Sequence, residues 1–260
     1  MDNKSSMRNE RIIFACAVRN CEQYLDAVCS NIFNLGSLFK EYKIIFVESD
    51  SSDRTIEILK YFQSLNSNIE IISLGNLEKD YPARTDRISI ARNCYLDLVE
   101  FKYADYDLLC MFDADDRSSY KIDPECFLSN FNYSEWDMIC ANQEQRYYDL
   151  WALRHEYWMP FDLIKHINLD RPAFITHSDA NNMFSHARRI HIAKHHLPIK
   201  VESAFGGMGI VKIKSIKNAR HTGRDETGLP WCEWVPFCRK LNNGNANIFI
   251  NPNFINGIGD

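Results

Sequence analysis

Asp113, Asp115 and Asp116 crowd three carboxylates into four positions directly after the apolar run that begins at Leu108. Carboxylates this close repel one another, and each raises the cost of ionising its neighbours. Where a strand empties into a loop, they are costly unless a cation or hydrogen-bond donors meet them. Oxygen donors of this kind suit Mg2+ or Mn2+, which can also take phosphate oxygens as ligands. A cation held by Asp113 and Asp115 would neutralise charge building on a departing diphosphate. The same triplet also reads as a solvated acidic turn that caps the helix near Asp123.

Two further segments place polar groups beside apolar structure. In residues 46–55 a buried run ends in Glu48, Ser49, Asp50, Ser51, Ser52 and Asp53. These acids and hydroxyls can accept hydrogen bonds from a base or a ribose, and Ser52 or Asp53 can cap the helix that follows. In residues 84–93, Arg92 falls four after Ile88 and three before Tyr95, beside the apolar stripe of a helix. A guanidinium there needs a carboxylate or phosphate partner, or it runs along the edge of the core towards a structural acid. Arg84, just ahead of the helix, is placed to reach an anion.

The second half adds candidates of mixed character. Tyr148, Asp149, Trp151 and Arg154 combine flat apolar faces with hydrogen-bonding ends, which suits a sugar; the same run reads as a helix end packing Trp151. Gly206-Gly207 permits close backbone approach to a ligand, or a hairpin bend. Glu233, between Trp231 and Trp234, is a candidate general base or an acid at a helix start. His186, His191, His195 and His196 lie among Arg188, Arg189 and Lys194, with His191 and His195 four apart on an expected helix. Lacking an H-E-x-x-H pattern, they read first as a solvated basic face and second as one that meets a phosphate or an anionic acceptor.

The elements that position these residues alternate. Five short apolar runs, residues 11–18, 43–48, 69–74, 107–113 and 136–141, read as strands covered on both faces. Helical stripes lie between them: Ile58, Phe62 and Leu65 in one, and Ile88, Ala91, Tyr95 and Leu98 in residues 86–100. Such repetition predicts an α/β fold with a mostly parallel, Rossmann-like sheet flanked by helices, whose ligand sits at the carboxyl ends of the strands. The second half is less regular. Paired strands are expected over residues 198–216, a short helix over 231–241 and a strand over 247–250. With no internal repeat or linker, one domain is expected over residues 11–260, after a flexible N-terminus of residues 1–10.

Composition removes several function classes. The 260 residues carry 30 Lys and Arg against 35 Asp and Glu, a formal charge of −5. Proteins that grip nucleic acid carry a basic excess, so no nucleic-acid partner is expected. No run reaches the roughly 18–20 apolar residues of a membrane span, and the first apolar stretch is too short for a secretory signal. A cytoplasmic protein without a transmembrane segment is expected, one able to work at a membrane surface. Nine cysteines with no CxxC pair predict reduced, buried thiols and no zinc site.

In order along the chain, Val18-Arg19-Asn20, Glu48 to Asp53, Arg92-Asn93 and Asp113-Ala114-Asp115 together resemble the GT-A class of nucleotide-sugar glycosyltransferases. Residues 47–55 resemble its V-D-D-G-S-T-D-G-T stretch, with Glu48 at the base-contacting Asp and Asp50 at the Gly. Residues 91–93 resemble its A-R-N, and residues 113–115 its D-x-D, whose last Asp usually holds the metal. Residues 148–154 resemble the Y-D-T-W-A-L-R-D string of the capsule-associated α-1,3-mannosyltransferase family. Residues 203–209, 232–235 and 249–252 resemble that family's S-C-F-G-G, C-E-H-V and F-I-N-P elements. Two positions depart from it: His155 replaces an Asp, and Trp234 replaces a His able to ligate a metal, with His221 a nearby substitute.

The resemblance implies a single GT-A-like domain with a nucleotide-sugar half (residues 11–142) and an irregular acceptor half (residues 143–260). It implies transfer of a sugar from a nucleoside diphosphate sugar to a hydroxyl of a glycan or glycolipid acceptor, with Mn2+ or Mg2+ as cofactor. Ala17, Val18, Arg19, Glu48, Arg84, Arg92, Asp113, Ala114 and Asp115 are the expected donor-binding residues, with Asp113 and Asp115 on the metal. Glu233, Asp149 and Arg154 are the expected catalytic residues. The mannosyltransferase resemblance implies retention of configuration, whereas a Glu233 base would suit inversion. Trp234 motivates a second reading, a catalytically degenerate binder of nucleotide sugars or carbohydrates. A third, an Mg2+-dependent phosphotransferase with Asp113 as nucleophile, is weakened by Arg117 where a Thr would be needed.

Overall fold

β-Branched and aromatic runs form the strands, and amphipathic segments return the chain between them. In the computed structural model, which describes residues 7–258, β1 (Arg8–Val18) leads through α1 (Leu25–Gly36) to β2 (Phe39–Glu48). The chain continues through α2 (Thr55–Leu65), β3 (Ile69–Ser73), α3 (Arg84–Lys102) and β4 (Leu108–Phe112). Two short helices, α4 (Asp116–Ser119) and α5 (Pro124–Leu128), precede β5 (Met138–Asn142). The second half holds α6 (Leu163–Lys165), α7 (His177–Phe184), β6 (Ile199–Val201), β7 (Met208–Lys212), α8 (Ile213–Ile216), α9 (Trp234–Lys240) and β8 (Ile248–Ile255).

The eight strands make one sheet in the order β3-β2-β1-β4-β7-β5-β8-β6. β1 pairs in parallel with β2 and β4, β2 with β3, and β5 with β8. β7 runs against β4 and β5, and β6 against β8. The fold is therefore the expected mixed α/β domain with a mostly parallel sheet.

Alternation along the strands divides the core between the two sheet faces. Ile13, Ala15, Ile45, Val47, Leu109 and Met111 pack with Ala91, Tyr95 and Val99 of α3. Ile12, Phe14, Ile44, Phe46 and Cys110 pack with Leu25, Val28 and Ile32 of α1 on the other face. Each fully buried Ile, Leu or Phe contributes roughly 1.5–3 kcal/mol, which is what holds the strand ends in register. All nine cysteines are free, and seven of them are buried. Among the described residues no helix is long and apolar enough to cross a membrane.

Several local expectations are corrected. β1 begins at Arg8, inside the stretch expected to be a flexible tail; residues 1–6 of that stretch lie outside the described residues. On α2, Ile58 and Phe62 of the expected stripe pack against the core beside the buried Thr55 and Leu59, while Leu65, in the last turn, is 65% exposed. The strands of residues 198–216 do not pair with each other: β6 is an edge strand on β8, and β7 inserts between β4 and β5. His191 and His195 lie in irregular chain after α7, so they share no helix face.

Candidate active site

β1, β2 and β4 end at Val18, Glu48 and Phe112, on one edge of the sheet. The chain moves outward from β1 to β3 and then returns to the far side of β1 as β4. Loops diverge at such a reversal and leave a crevice outside the carboxyl ends of the strands. A cavity of 260 Å3 lies there, lined by Ala17, Val18, Arg19, Arg84, Asp113, Ala114 and Asp115, with Ser49 and Arg87 beside them. The sequence-predicted donor residues thus meet in one place, apart from Glu48 and Arg92, which stand behind its wall.

Glu48 is buried, and its carboxylate ties the loop after β2 to the end of β3. It accepts the Ser51 N–H at 2.9 Å and the Ser73 hydroxyl at 2.7 Å. Asp50 sits at φ 59°, in the left-handed region that Gly, Asn and Asp tolerate best. That conformation accounts for an Asp where the resemblance has a Gly. Asp50 accepts the Glu78 N–H at 2.8 Å and faces the Arg87 guanidinium at 3.9 Å. Asp53 accepts the Thr55 N–H at 3.0 Å but sits one residue ahead of the N-cap position, which is Arg54 and makes no side-chain capping bond, so neither Ser52 nor Asp53 is the cap of α2.

Arg92 is the hinge of the electrostatics. It is buried on α3, donates from Nη2 to Asp113 Oδ1 at 2.9 Å, and holds Glu233 with Nε at 3.4 Å from Oε1. Its guanidinium carbon lies 4.2 Å from the Trp234 ring centroid and 5.0 Å from that of Phe205. Those two rings stack at 3.9 Å. Trp234 therefore does not supply a metal ligand; it covers the cation that pairs with the acids.

Three carboxylates, on Asp115, Asp149 and Glu233, act on Asp113, and Asp113 and Glu233 act on the buried Arg92 guanidinium. Loss of hydration pushes the Asp113 carboxyl up to about 7; Arg92 opposes the rise, and the charges of Asp115, Glu233 and Asp149 add to it. Asp149 is pushed up to about 6 by burial, against the pull of the Gly206 and Ala152 N–H groups. Asp115 is raised by burial as well. Its Oδ1 accepts the N–H groups of Arg117 and Ser118, so it caps α4; Asp123 caps α5 separately. The capping and ligand readings of the acidic triplet are compatible, since a cap uses one carboxylate oxygen.

These residues fit a divalent cation. The acids carry more charge than Arg92 balances, and Mg2+ or Mn2+ bound with a phosphate typically needs only one or two protein carboxylates. Among the described residues no group of three or more His, Cys, Asp or Glu is arranged to hold a metal alone. His221 does not join Asp113 and Asp115. Burial and then Arg92 hold its imidazole well below the usual range, its ring stacks on Phe237 at 4.4 Å, and Nδ1 meets the Glu233 carbonyl at 3.2 Å.

Gly206-Gly207 supports the acids from below. Both residues have positive φ, and a Cβ on Gly206 would lie 2.3 Å from the Ala141 carbonyl oxygen. The Gly206 N–H donates to Asp149 Oδ2 at 2.9 Å, and its carbonyl accepts from Gln143 at 2.9 Å and Asn256 at 2.8 Å. Gly207 passes this order on, because its carbonyl accepts the Asp113 N–H at 3.0 Å. Asp149 is therefore a backbone clamp. Gln143 and Asn256, which the sequence reading missed, complete it; the only signal was a pair of glycines that needed satisfying partners.

Arg154 goes elsewhere. Its guanidinium donates to the Trp151 and Leu153 carbonyls and pairs with Asp162 at 2.5 Å, on the wall of a different groove.

Comparison with known proteins gives this geometry a context. Glycosyl transferase family 2 matches residues 15–207. No curated protein matches the chain. Among solved structures, S. aureus TarS 1–349 in complex with UDP aligns with a TM-score of 0.52 at 12% identity, over 92% of this chain and 57% of that one. The mannosyltransferase PcManGT from Pyrobaculum calidifontis, in complex with GDP-Man and Mn2+, aligns with a TM-score of 0.53 at 10% identity, over 95% of this chain and 56% of that one. At such identities the likeness is one of fold, and this chain spans somewhat over half the length of those structures. The family match runs from within β1 through the DxD loop to the Gly206-Gly207 turn, the span that builds the cavity, and the chain belongs to Glycosyl transferase family 2.

Proposed function

We propose that this chain moves a sugar from a nucleoside diphosphate sugar to a hydroxyl of a glycan acceptor, using Mn2+ or Mg2+ at Asp113 and Asp115. The observation that carries this reading is the cavity at the β1–β4 reversal, which Arg19, Arg84 and Arg87 line together with Asp113 and Asp115. Cations attract the diphosphate, and acids that share a metal with it grip the same group through that ion. TarS was solved with UDP-GlcNAc as well as UDP, and PcManGT with GDP-Man and Mn2+. Those donors share the chemistry that this cavity suits.

When bound, the cation would stabilise negative charge on the leaving diphosphate. The remaining work belongs to the chain. Arg92 holds Asp113 in place, and the Asp149–Gln143–Asn256 clamp fixes the main chain on which Asp113 depends. Glu233, ion-paired with Arg92, is the carboxylate proposed to take the acceptor hydroxyl's proton. Residues 11–142 supply the donor side and residues 143–260 the acceptor side. The finer likeness to capsule-associated α-1,3-mannosyltransferases is supported by Asp149 and Gly206, since two of the resembling strings meet in one clamp.

The test is thermal shift of the full chain with UDP, GDP and their sugars, with and without Mn2+. A ligand that binds only the folded state raises its melting temperature. The expected result is a nucleotide-dependent rise that requires Mn2+ and vanishes in Asp115→Ala. A nucleotide shift equal with and without Mn2+, with no sugar turnover, would favour the degenerate binder instead.

A further inference from the structure

A second groove of 820 Å3 lies beyond the donor cavity, between residues 154–170 and the loop that ends at Trp231. Of the sequence-predicted site residues only Arg154 lines it. Resting on the donor-site reading above, we infer that this groove takes the acceptor, and that the acceptor is an uncharged glycan chain.

Position comes first. The loop that walls the groove also touches the donor side. A Cβ on Gly223 would lie 2.3 Å from the Thr85 carbonyl, Arg224 pairs with Asp86 at 2.6 Å, and the Trp231 N–H returns to the Gly223 carbonyl at 3.0 Å. Thr85 and Asp86 directly follow Arg84 at the start of α3, and Trp231 stands two residues before Glu233. One loop therefore touches the start of α3 beside Arg84 and lines the groove, and its last residues lead into the proposed base.

Chemistry narrows the occupant. The lining contains six carboxylates against three cations. Arg154 pairs with Asp162 and Arg239 with Glu202, and Asp225 is tied into its own turn by Thr227 and Leu229. Glu156, Asp170 and Glu226 are exposed and have no ion-pair partner among the described residues. The same lining includes the half-buried Trp231 and the exposed side chains of Ile164, Leu169 and Leu229. Free carboxylates accept strong hydrogen bonds from hydroxyls, and apolar surfaces accept the CH faces of a sugar ring. A phosphate- or uronate-bearing chain brings like charge to these acids and is repelled.

The experiment is binding of the full chain to an array of neutral and anionic oligosaccharides, run beside the Mn2+–nucleotide thermal shift. The chain is expected to retain neutral glycans only. Trp231→Ala should lose at least tenfold of that signal, and Asp170→Lys with Glu226→Lys should shift retention towards anionic glycans. The nucleotide shift should stay at the wild-type value in both variants. Should Trp231→Ala fail to fold, the two exposed charge reversals still decide the matter. Retention of anionic glycans by the wild type, capture of basic peptides in preference to glycans, or no glycan retained at all would overturn the inference. An intact nucleotide shift in that case leaves the donor site standing, and its loss in the wild type would instead remove the donor reading.

Discussion

Asp113→Asn separates stability from function in opposite directions. The Asp113 carboxyl is raised from 3.8 to about 7, so the folded chain keeps a proton through a pH window in which the unfolded chain has lost it. Stability therefore falls as pH rises from about 4 through about 7, because there the folded state binds more protons. A rise of about three units corresponds to a ceiling of ~4 kcal/mol for the ionised acid above pH 7. The side chain keeps 31% of its surface in solvent, and screening there cuts the figure to about 2 kcal/mol. The amide that replaces it must still satisfy its own donors, which offsets about 1 kcal/mol.

About 1 kcal/mol of net gain remains, and in a chain of this size that is about 2–4 °C. In metal-free buffer the variant should melt about 2–4 °C above the wild type at pH 8, and about level with it at pH 5, where only about a third of the wild-type loss has built up and the cost of the amide offsets it. Added Mn2+ with nucleotide should raise the wild type at pH 8 and leave the variant unmoved. Scanning fluorimetry across pH 5–8 reads both effects. A variant that melts below the wild type at pH 8, or by the same offset at both pH values, would refute the claim that Asp113 is an acid held under electrostatic tension.

Three other substitutions probe the supports. Gly206→Ala combines a positive φ with a Cβ at 2.3 Å from a carbonyl, so it should cost about 3 kcal/mol or more, read as loss of soluble folded protein or a drop in urea midpoint. Gln143→Leu removes one of two donors to the Gly206 carbonyl; it should cost about 1–2 kcal/mol and lower kcat for sugar transfer, and an unchanged kcat would show that the clamp does not reach Asp113. Arg92→Lys keeps the charge but loses the fork that spans Asp113 and Glu233; turnover should fall about 100-fold, and near-wild-type turnover would show that one point charge suffices.

The parallel half of the fold could be read locally because each strand there is one apolar run bounded by a turn. β1 to β4 need only their own patterns and the right-handed crossover rule to fall into place. β7 lies between β4 and β5 although residues 113–137 and 143–207 separate it from them in the chain. No local pattern encodes that insertion, so a neighbouring hairpin looked as natural. The clamp was hidden for the same reason: Gln143 and Asn256 stand 113 residues apart and meet only after β5 and β8 pair.

The site itself left a trace that could be read in one helix. α3 buries Arg87, Ser89 and Arg92 on its N-terminal half and Tyr95, Leu96 and Val99 beyond them. A helix meant only for packing would continue the apolar stripe to its start, because a buried guanidinium without a partner is far more costly than a leucine. Arg92 therefore demands an acid from elsewhere, and the chain holds its densest acidic run where the next strand ends. That some such partner is needed follows from charge balance alone, and the structure shows it to be Asp113. Which second acid shares the guanidinium does not follow from charge: Glu233 reaches it only because α9 begins beside Phe205, and Trp234 then closes over the cation. The demand for a counter-charge is local, but its supply depends on contacts across the whole chain.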